Sequence, residues 1–274
     1  MKTNIKIAVL ALTGLFSIPT LSAEEVKPLK ALLLTGGCCH DYKAQKDILK
    51  NGIEARGNIV VTQIHTDSTT VTPDLPIYGM PEYAAGYDIV IHDECAAGIS
   101  DDKVVKGVLA PHDKGTPAVN LHCAMHSYRI GEFKKPIEEK GTPTSQWFEF
   151  LGIQSTSHGP KKPLEIVYTD KKHPITQGLA DWTTGDEELY NNVKIFDSAH
   201  ALAKGTQKGK DAVVTWTNDY KGTRVFNTTI GHFNETVSDA RYLDLVTRGL
   251  LWACGKMDDT GKITAGYEPK VEKK

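Results

Sequence analysis

The sequence predicts an α/β sandwich, a doubly wound and mostly parallel sheet with helices on both faces. Three observations carry this expectation. Short apolar, β-branched runs recur along the chain, several of them hydrophobic on both faces, as strands buried between two helical layers must be. Segments of helical periodicity alternate with them. Polar, chemically active residues gather just after the runs, where an open parallel sheet binds its ligands.

Taken in order, the expected strands are KALLLTGG (30–37), NIVVTQIHTD (58–67), YDIVIHDE (87–94), TPAVNLHC (116–123), LEIVYTD (164–170), DAVVTWTND (211–219) and TRVFNTTIGH (223–232). Helical patterns fill residues 42–56, 100–110 and 240–254. Between 127 and 163 the order loosens into an insertion containing Gly, Pro and Lys, and 171–200 is a second irregular span. At the amino end, Lys2 and Lys6 precede an apolar run from Ile7 to Ile18 and small residues ending at Ser22-Ala23, which reads as a signal peptide over residues 1–23. Its apolar run is too short to span a bilayer. The mature chain is therefore expected in an exported compartment, periplasmic or secreted, without a membrane anchor. An α/β domain over 24–257 and a polar, loosely ordered tail over 258–274 complete the organisation.

Charge narrows the class of partner. The chain carries 32 Lys and Arg against 34 Asp and Glu, and loss of residues 1–23 leaves 30 against 34, a net charge of −4. A nucleic-acid partner needs a basic excess, so none is expected. Five cysteines, Cys38, Cys39, Cys95, Cys123 and Cys254, are too few and too irregular for a disulfide scaffold. An odd count leaves at least one thiol free, and adjacent Cys38 and Cys39 are poorly placed to bridge one another.

Four strand ends carry the candidate chemistry: Cys38-Cys39-His40-Asp41, His92-Asp93-Glu94, His122-Cys123 and Gly231-His232. His40, His122 and His232 could meet in one pocket, with Glu188 delivered from the irregular span and Asp41 or Asp93 as further carboxylates. Imidazoles beside a carboxylate suit general acid–base catalysis near neutral pH, and equally a zinc-like divalent ion with an open position. No HExxH or other compact ligand motif decides between them. Trp147, Trp182 and Tyr190 offer aromatic faces on which a sugar ring could stack, and His158 lies in a loop that could line the pocket. His126 stands four residues after His122, but a strand ending at His122 would make that spacing a coincidence.

Several segments resemble the ThuA-like family, named for trehalose utilisation and placed in the class I glutamine amidotransferase-like superfamily. They are TGGCCHDY (35–42), LHCA (121–124), WFEFLG (147–152) followed by His158-Gly159, KHPITQGL (172–179), EELY (187–190), and RVFNTTIGHF through RGLLWACG (224–255). The resemblance implies a flavodoxin-like sheet, a small-molecule carbohydrate as partner and no nucleotide cofactor. Two departures, a single glycine in DKGTPAVNLH and Thr223 before Arg224, touch turns rather than the polar cluster. Amidotransferases of the superfamily carry a nucleophilic cysteine at a strand-to-helix elbow and a late histidine, and Cys123 and His232 fall at those places. The flanks of Cys123 lack the elbow's small glycines, and no carboxylate follows His232 in His232-Phe233-Asn234.

Overall fold

The computed structural model describes residues 26–269, so the expected signal peptide and the last five residues of the tail lie outside the described residues. Nine strands form one sheet. β1 (Leu29–Gly37) pairs with β2 (Ile59–Thr66) on one side and β3 (Ile89–Cys95) on the other, and β3 pairs with β4 (Ala118–Leu121), all parallel. β11 (Thr223–Thr228) joins β4 in the same sense. From there the sheet continues through β10 (Lys210–Tyr220), β9 (Ala199–Gln207), β6 (Lys162–Tyr168) and β7 (Trp182–Glu187), every pairing antiparallel. A separate short pair joins β5 (Ile153–Gln154) to β8 (Lys194–Ile195).

The sheet is thus flavodoxin-like in its first half but mixed over its full width, which corrects the expectation of a mostly parallel sheet. The reason lies in β7 and β9, absent from the sequence reading. β9 carries polar residues at its start, and β7 buries only Trp182, Thr184 and Glu187. Neither shows the two-faced apolar run that marks a covered parallel strand. Antiparallel pairing alternates strand direction, so β7 and β9 run in the same sense as the parallel set. The carboxyl end of β7 therefore opens onto the same edge as those of β1, β3, β4 and β11.

Period-two alternation builds a core on each face of the sheet. Ala31 and Leu33 of β1 pack with Ile89, Ile91 and Phe226 beneath α1 (Tyr42–Glu54) and α5 (Ala240–Ala253). Leu32 and Leu34 point the other way, with Val90 and Val225, toward α2 (Asp102–Asp113) and α3 (Gln146–Leu151). Asp41 and Asp101 cap α1 and α2 by accepting the backbone N–H groups of Ala44 and Val104. After Gly255 the chain stays held to the body, with the Asn58 amide donating to the carbonyls of Val26 and Gly266, and Met257 bridging Ile263. Among the described residues no helix is long and apolar enough to cross a membrane.

Helix α5 sits hard against β11. A Cβ on Gly249 would lie 2.4 Å from the Phe226 ring. Gly249→Ala should therefore push the helix off the strand and lower stability by about 1–3 kcal/mol, read from the midpoint of chemical unfolding. An unchanged midpoint would show that the helix rides freely over the sheet.

Candidate functional site

The carboxyl edge of the sheet assembles its polar residues by backbone turns of specific shape. β1 ends in Gly36 and Gly37 at φ +130° and +104°, and a Cβ on Gly37 would stand 2.3 Å from the Cys95 carbonyl oxygen. Only glycine passes so close to the end of β3. The chain then turns through Cys39, at φ +83°, and delivers His40. β4 ends at Leu121, and His122 begins a 3₁₀ turn, His122–His126, with φ +37°. β11 runs into Gly231-His232, whose backbone N–H groups both donate to Glu187 Oε1, at 3.2 and 2.9 Å. Glu188 follows directly from β7.

These residues converge. One ring nitrogen from each of His40, His122 and His232 lies within 4.8 Å of the others, a spacing that could hold a metal ion. Two backbone carbonyls orient the rings: His122 Nδ1 donates to Thr229 at 2.6 Å, and His40 Nδ1 donates to His232 at 3.3 Å. Both leave Nε2 free to face the cluster. Carbonyl-held imidazoles of this kind are the usual way a protein fixes a metal-binding or proton-transferring histidine. His122 Nε2 lies 3.2 Å from His232 Nδ1 and 3.4 Å from the Tyr190 hydroxyl. The Glu188 carboxylate stands among them, 3.6 Å from His122, 3.4 Å from His232 and 3.4 Å from His158.

Burial and charge set the protonation pattern. Burial, reinforced by repulsion from His122 and His232, holds His40 neutral down to about 2. Burial also disfavours charge on His122, but the hydrogen bond to Glu188, Glu187 nearby and the Thr229 carbonyl outweigh it and raise its pKa. Burial likewise opposes charge on Glu188, yet His122 and His232 bring its carboxyl well below the usual range. The group is therefore a carboxylate beside a histidine biased toward imidazolium, with a neutral histidine whose ring packs edge-on against that of His122, 4.7 Å between centroids.

A cavity of about 360 Å³ opens over this group, lined among others by His40, Cys123, Arg129, His158, Glu188 and Tyr190. A neighbouring hollow of about 450 Å³ shares Cys39, His40, Lys161 and His232 and extends to Asp41. The structure thus brings together His40, His122, His232, Glu188, His158 and Tyr190, with Asp41 at the rim, where its carboxylate accepts from the Asn234 amide. Three expected contributors are elsewhere. Trp147 is buried in the core of α3, its indole donating to the Ala124 carbonyl, and presents no face to the cavity. Asp93 lies inside the ladder because β3 runs on to Cys95; it is buried, accepts from Thr35, and burial next to Glu94 raises its pKa. His92 and Glu94 of the same strand pair at 2.8 Å within a closed network that includes His112 and Tyr128. Trp182 packs in the opposite core under Arg241.

Some participants escape a sequence reading. His126 belongs to the cavity wall after all, since the chain after Leu121 coils into a 3₁₀ turn; it pairs with Ser155 at 2.9 Å and stacks on Tyr190 at 4.2 Å. Arg129 and Lys161, from the loose insertion, bring positive charge to the wall. Cys38 and Cys39, expected not to bridge, are joined to each other, the left-handed turn at Cys39 bringing the adjacent sulfurs together. Cys123 is buried, and the neighbouring Cys95 thiol together with burial pushes its thiol up.

The comparisons with known proteins follow the fold. The sequence profile of the ThuA family, described as trehalose utilisation, matches residues 30–253. A ThuA-like protein of Parabacteroides merdae superposes with a TM-score of 0.65 at 20% identity, covering 90% of this chain and 94% of that one. Another from Bacteroides uniformis gives 0.58 at 16% identity, over 88% and 98%. The β-galactosidase of Rahnella sp. R3 gives 0.51 at 13% identity, over 83% of this chain and 31% of that chain. At these identities the likeness is one of fold. The sequence finds no match among curated proteins.

The Glu188 interactions predict a titration. Glu188→Gln removes the carboxylate that holds the His122 proton, so the His122 ring should titrate at lower pH in the variant, as followed by NMR of the histidine ring carbons. The sign for stability follows from both partners. The Glu188 contribution is present above its unfolded value of 4.5 and lost on acidification, whereas that of His122 is complete below its unfolded value of 6.5 and lost as pH rises through the raised folded value. The stability deficit of Glu188→Gln should thus be largest between those two values. A His122 resonance that titrates identically in both proteins would refute the pairing.

Proposed function

The chain belongs to the ThuA family, and from that membership and the site geometry we propose that it is an exported, carbohydrate-active enzyme. Its substrate class is a small sugar or an oxidised sugar derivative, and its reaction is a hydrolysis or isomerisation carried by proton transfer. The observation that carries this reading is the convergence of His40, His122, His232 and Glu188, with His122 buried directly behind the His40, His232 and Glu188 side chains that line a cavity of about 360 Å³. The signal-peptide pattern of residues 1–23 supports export.

In this reading His232 takes a proton from the carbon beside a sugar carbonyl, or from an attacking water, while the His122 imidazolium gives a proton to the oxygen on which negative charge develops. His40, held neutral, accepts a hydrogen bond from the reacting group and orients it. Glu188 keeps that proton available and ties His232 and His158 to the same centre. Tyr190 and His158 contact the sugar on one wall, and Arg129 and Lys161 complement its oxygens. Cys123 fits a nucleophile poorly, because a raised thiol pKa leaves little thiolate at neutral pH.

The same donor set fits a zinc-like divalent ion. His40, His122 and His232 would hold it through ring nitrogens, those of His40 and His122 oriented by backbone carbonyls, with Glu188 beside them. When bound, such an ion supplies Lewis-acid polarisation of a sugar oxygen. It would compete with the proton on His122, so it should bind more tightly as pH rises.

Two experiments test the reading. In a screen of disaccharides and keto-sugars, the wild type should turn over a substrate, and His232→Ala and His122→Ala should each lose about 10²–10⁴-fold in kcat. Sugar affinity by calorimetry that survives His122→Ala and His232→Ala, with the ligand unchanged in the wild type, would instead make the protein a binding module. Elemental analysis of protein purified without chelator or affinity tag should give about one equivalent of divalent metal, falling sharply in His122→Ala and His232→Ala. A metal-free wild type that is still active would leave the histidines as plain acid–base groups.

A further inference from the structure

Four of the five cysteines lie in one patch beside the histidine cluster, a grouping that the proton-transfer chemistry does not use. Cys38 and Cys39 are disulfide-bonded, and Cys95, Cys123 and Cys254 are free. The Cys95 sulfur lies 3.5 Å from that of Cys38, and Cys38, Cys39 and Cys95 offer sulfurs all within 4.8 Å of one another. Cys123 packs with Cys95, Tyr42, Cys38 and Ala97. All four sulfur-bearing residues line the active cavity. A free thiol held at van der Waals distance from a disulfide sulfur is the reactant pair of thiol–disulfide exchange.

We propose that Cys38, Cys39 and Cys95 form an internal thiol–disulfide relay that moves the disulfide off the Cys38–Cys39 pair and so alters the turn that presents His40. The Cys95 sulfur, giving up its proton, attacks the Cys38 sulfur. A Cys95–Cys38 bond forms, the Cys38–Cys39 bond breaks, and the Cys39 sulfur leaves with the electron pair and takes up the proton. No step passes on to Cys123, whose thiol, pushed up by the neighbouring Cys95 and by burial, stays packed against Cys95. One disulfide and its complement of thiols are present throughout, so no outside oxidant or reductant is consumed.

The direction of attack follows from the geometry. Cys95 touches Cys38, which is half-buried against it, while Cys39 is exposed and so is the sulfur better placed to leave as a solvated thiolate. The structural consequence follows from the backbone. Cys39 has φ +83°, a left-handed conformation that a cysteine adopts rarely, and it is bonded in sequence to His40. With the Cys38–Cys39 ring closed, that turn is locked. Once the disulfide has moved, Cys39 is free to leave the left-handed region, and His40 loses the support that sets its Nδ1 on the His232 carbonyl.

Disulfide mapping of the mature wild-type protein tests this without a variant. The protein is incubated at mildly alkaline pH, its thiols are trapped with N-ethylmaleimide under denaturing acid quench, and the peptides are separated without reduction. The expected result is a Cys38–Cys95 linked peptide alongside the Cys38–Cys39 peptide, and its complete loss in Cys95→Ser. In Cys39→Ser treated with oxidised glutathione, Cys38 should pair with Cys95 rather than carry glutathione. Only the Cys38–Cys39 linkage in the wild type, or five free thiols, would overturn the relay. So would a soft metal ion found by elemental analysis that shields Cys95 from maleimide, which would make the same sulfurs a metal site. The effect on His40 is read separately: its ring resonances should shift when the Cys38–Cys39 bond is reduced with a phosphine, and identical spectra in both states would refute the coupling.

Discussion

The interaction on which the site depends is the buried carboxylate of Glu188 set among three imidazoles. Burial and the repulsion of neighbouring imidazoles act against imidazolium at His40. The carboxylate reverses that balance at His122, so that a neutral ring and one biased toward imidazolium stand a few ångströms apart. The surrounding groups serve this arrangement. Glu187 pins the Gly231-His232 turn, the Gln45 amide donates to the His232 carbonyl, and Thr229 holds the His122 ring.

Bringing Glu188 to the histidines is the task of the antiparallel half of the sheet. Parallel strands deliver loops to one edge, which is how β1, β4 and β11 present His40, His122 and His232. A carboxylate from the far half needs a strand that runs in the same sense, and the alternation from β11 to β7 restores that sense. The same alternation brings the amino ends of β6 and β10 to this edge, which accounts for Lys161 in the cavity wall and for Lys210 beside His158 in an adjacent groove. The mixed sheet thus divides the site, with one half supplying the imidazoles of His40, His122 and His232 and the other the charged Glu188 and Lys161.

Much of this was legible in the sequence because covered parallel strands write a strong signal. Runs such as LLL in β1 and IVI in β3 have apolar residues on both faces, and the helices over residues 42–56 and 240–254 lie where the periodicity put them. The histidines at three strand ends were readable for the same reason. What the sequence concealed was partly covered or loop-borne. β9 alternates weakly, β7 is mostly polar, His126 ends a 3₁₀ turn that the strand reading did not foresee, and Arg129 and Lys161 sit in an insertion without period. Strand length decided the fate of Asp93: two further paired residues hold it inside the ladder and give the strand's end to Cys95. Trp147 looked like a sugar platform only because an aromatic in an irregular span has no visible packing partner until α3 is folded onto the core.

The backbone at the end of β4 bears on how this site differs from an amidotransferase elbow. In an elbow the nucleophile occupies the strained residue at the sharp turn after a strand, which lifts its side chain into the site. Here the strained residue is His122, at φ +37°, and Cys123 comes one position later, buried against Cys95. A non-glycine residue in that region costs on the order of 1 kcal/mol and persists only where the surroundings over-determine it. The Thr229 carbonyl, Tyr190 and Glu188 do so here, gripping the ring from three sides. The turn that in an elbow presents the nucleophile presents an imidazole in this chain, which supports the proposed proton transfer over a covalent acyl intermediate. The cysteine displaced from the elbow joins the sulfur patch beneath it, which separates the two kinds of reactive group while keeping them within one cavity.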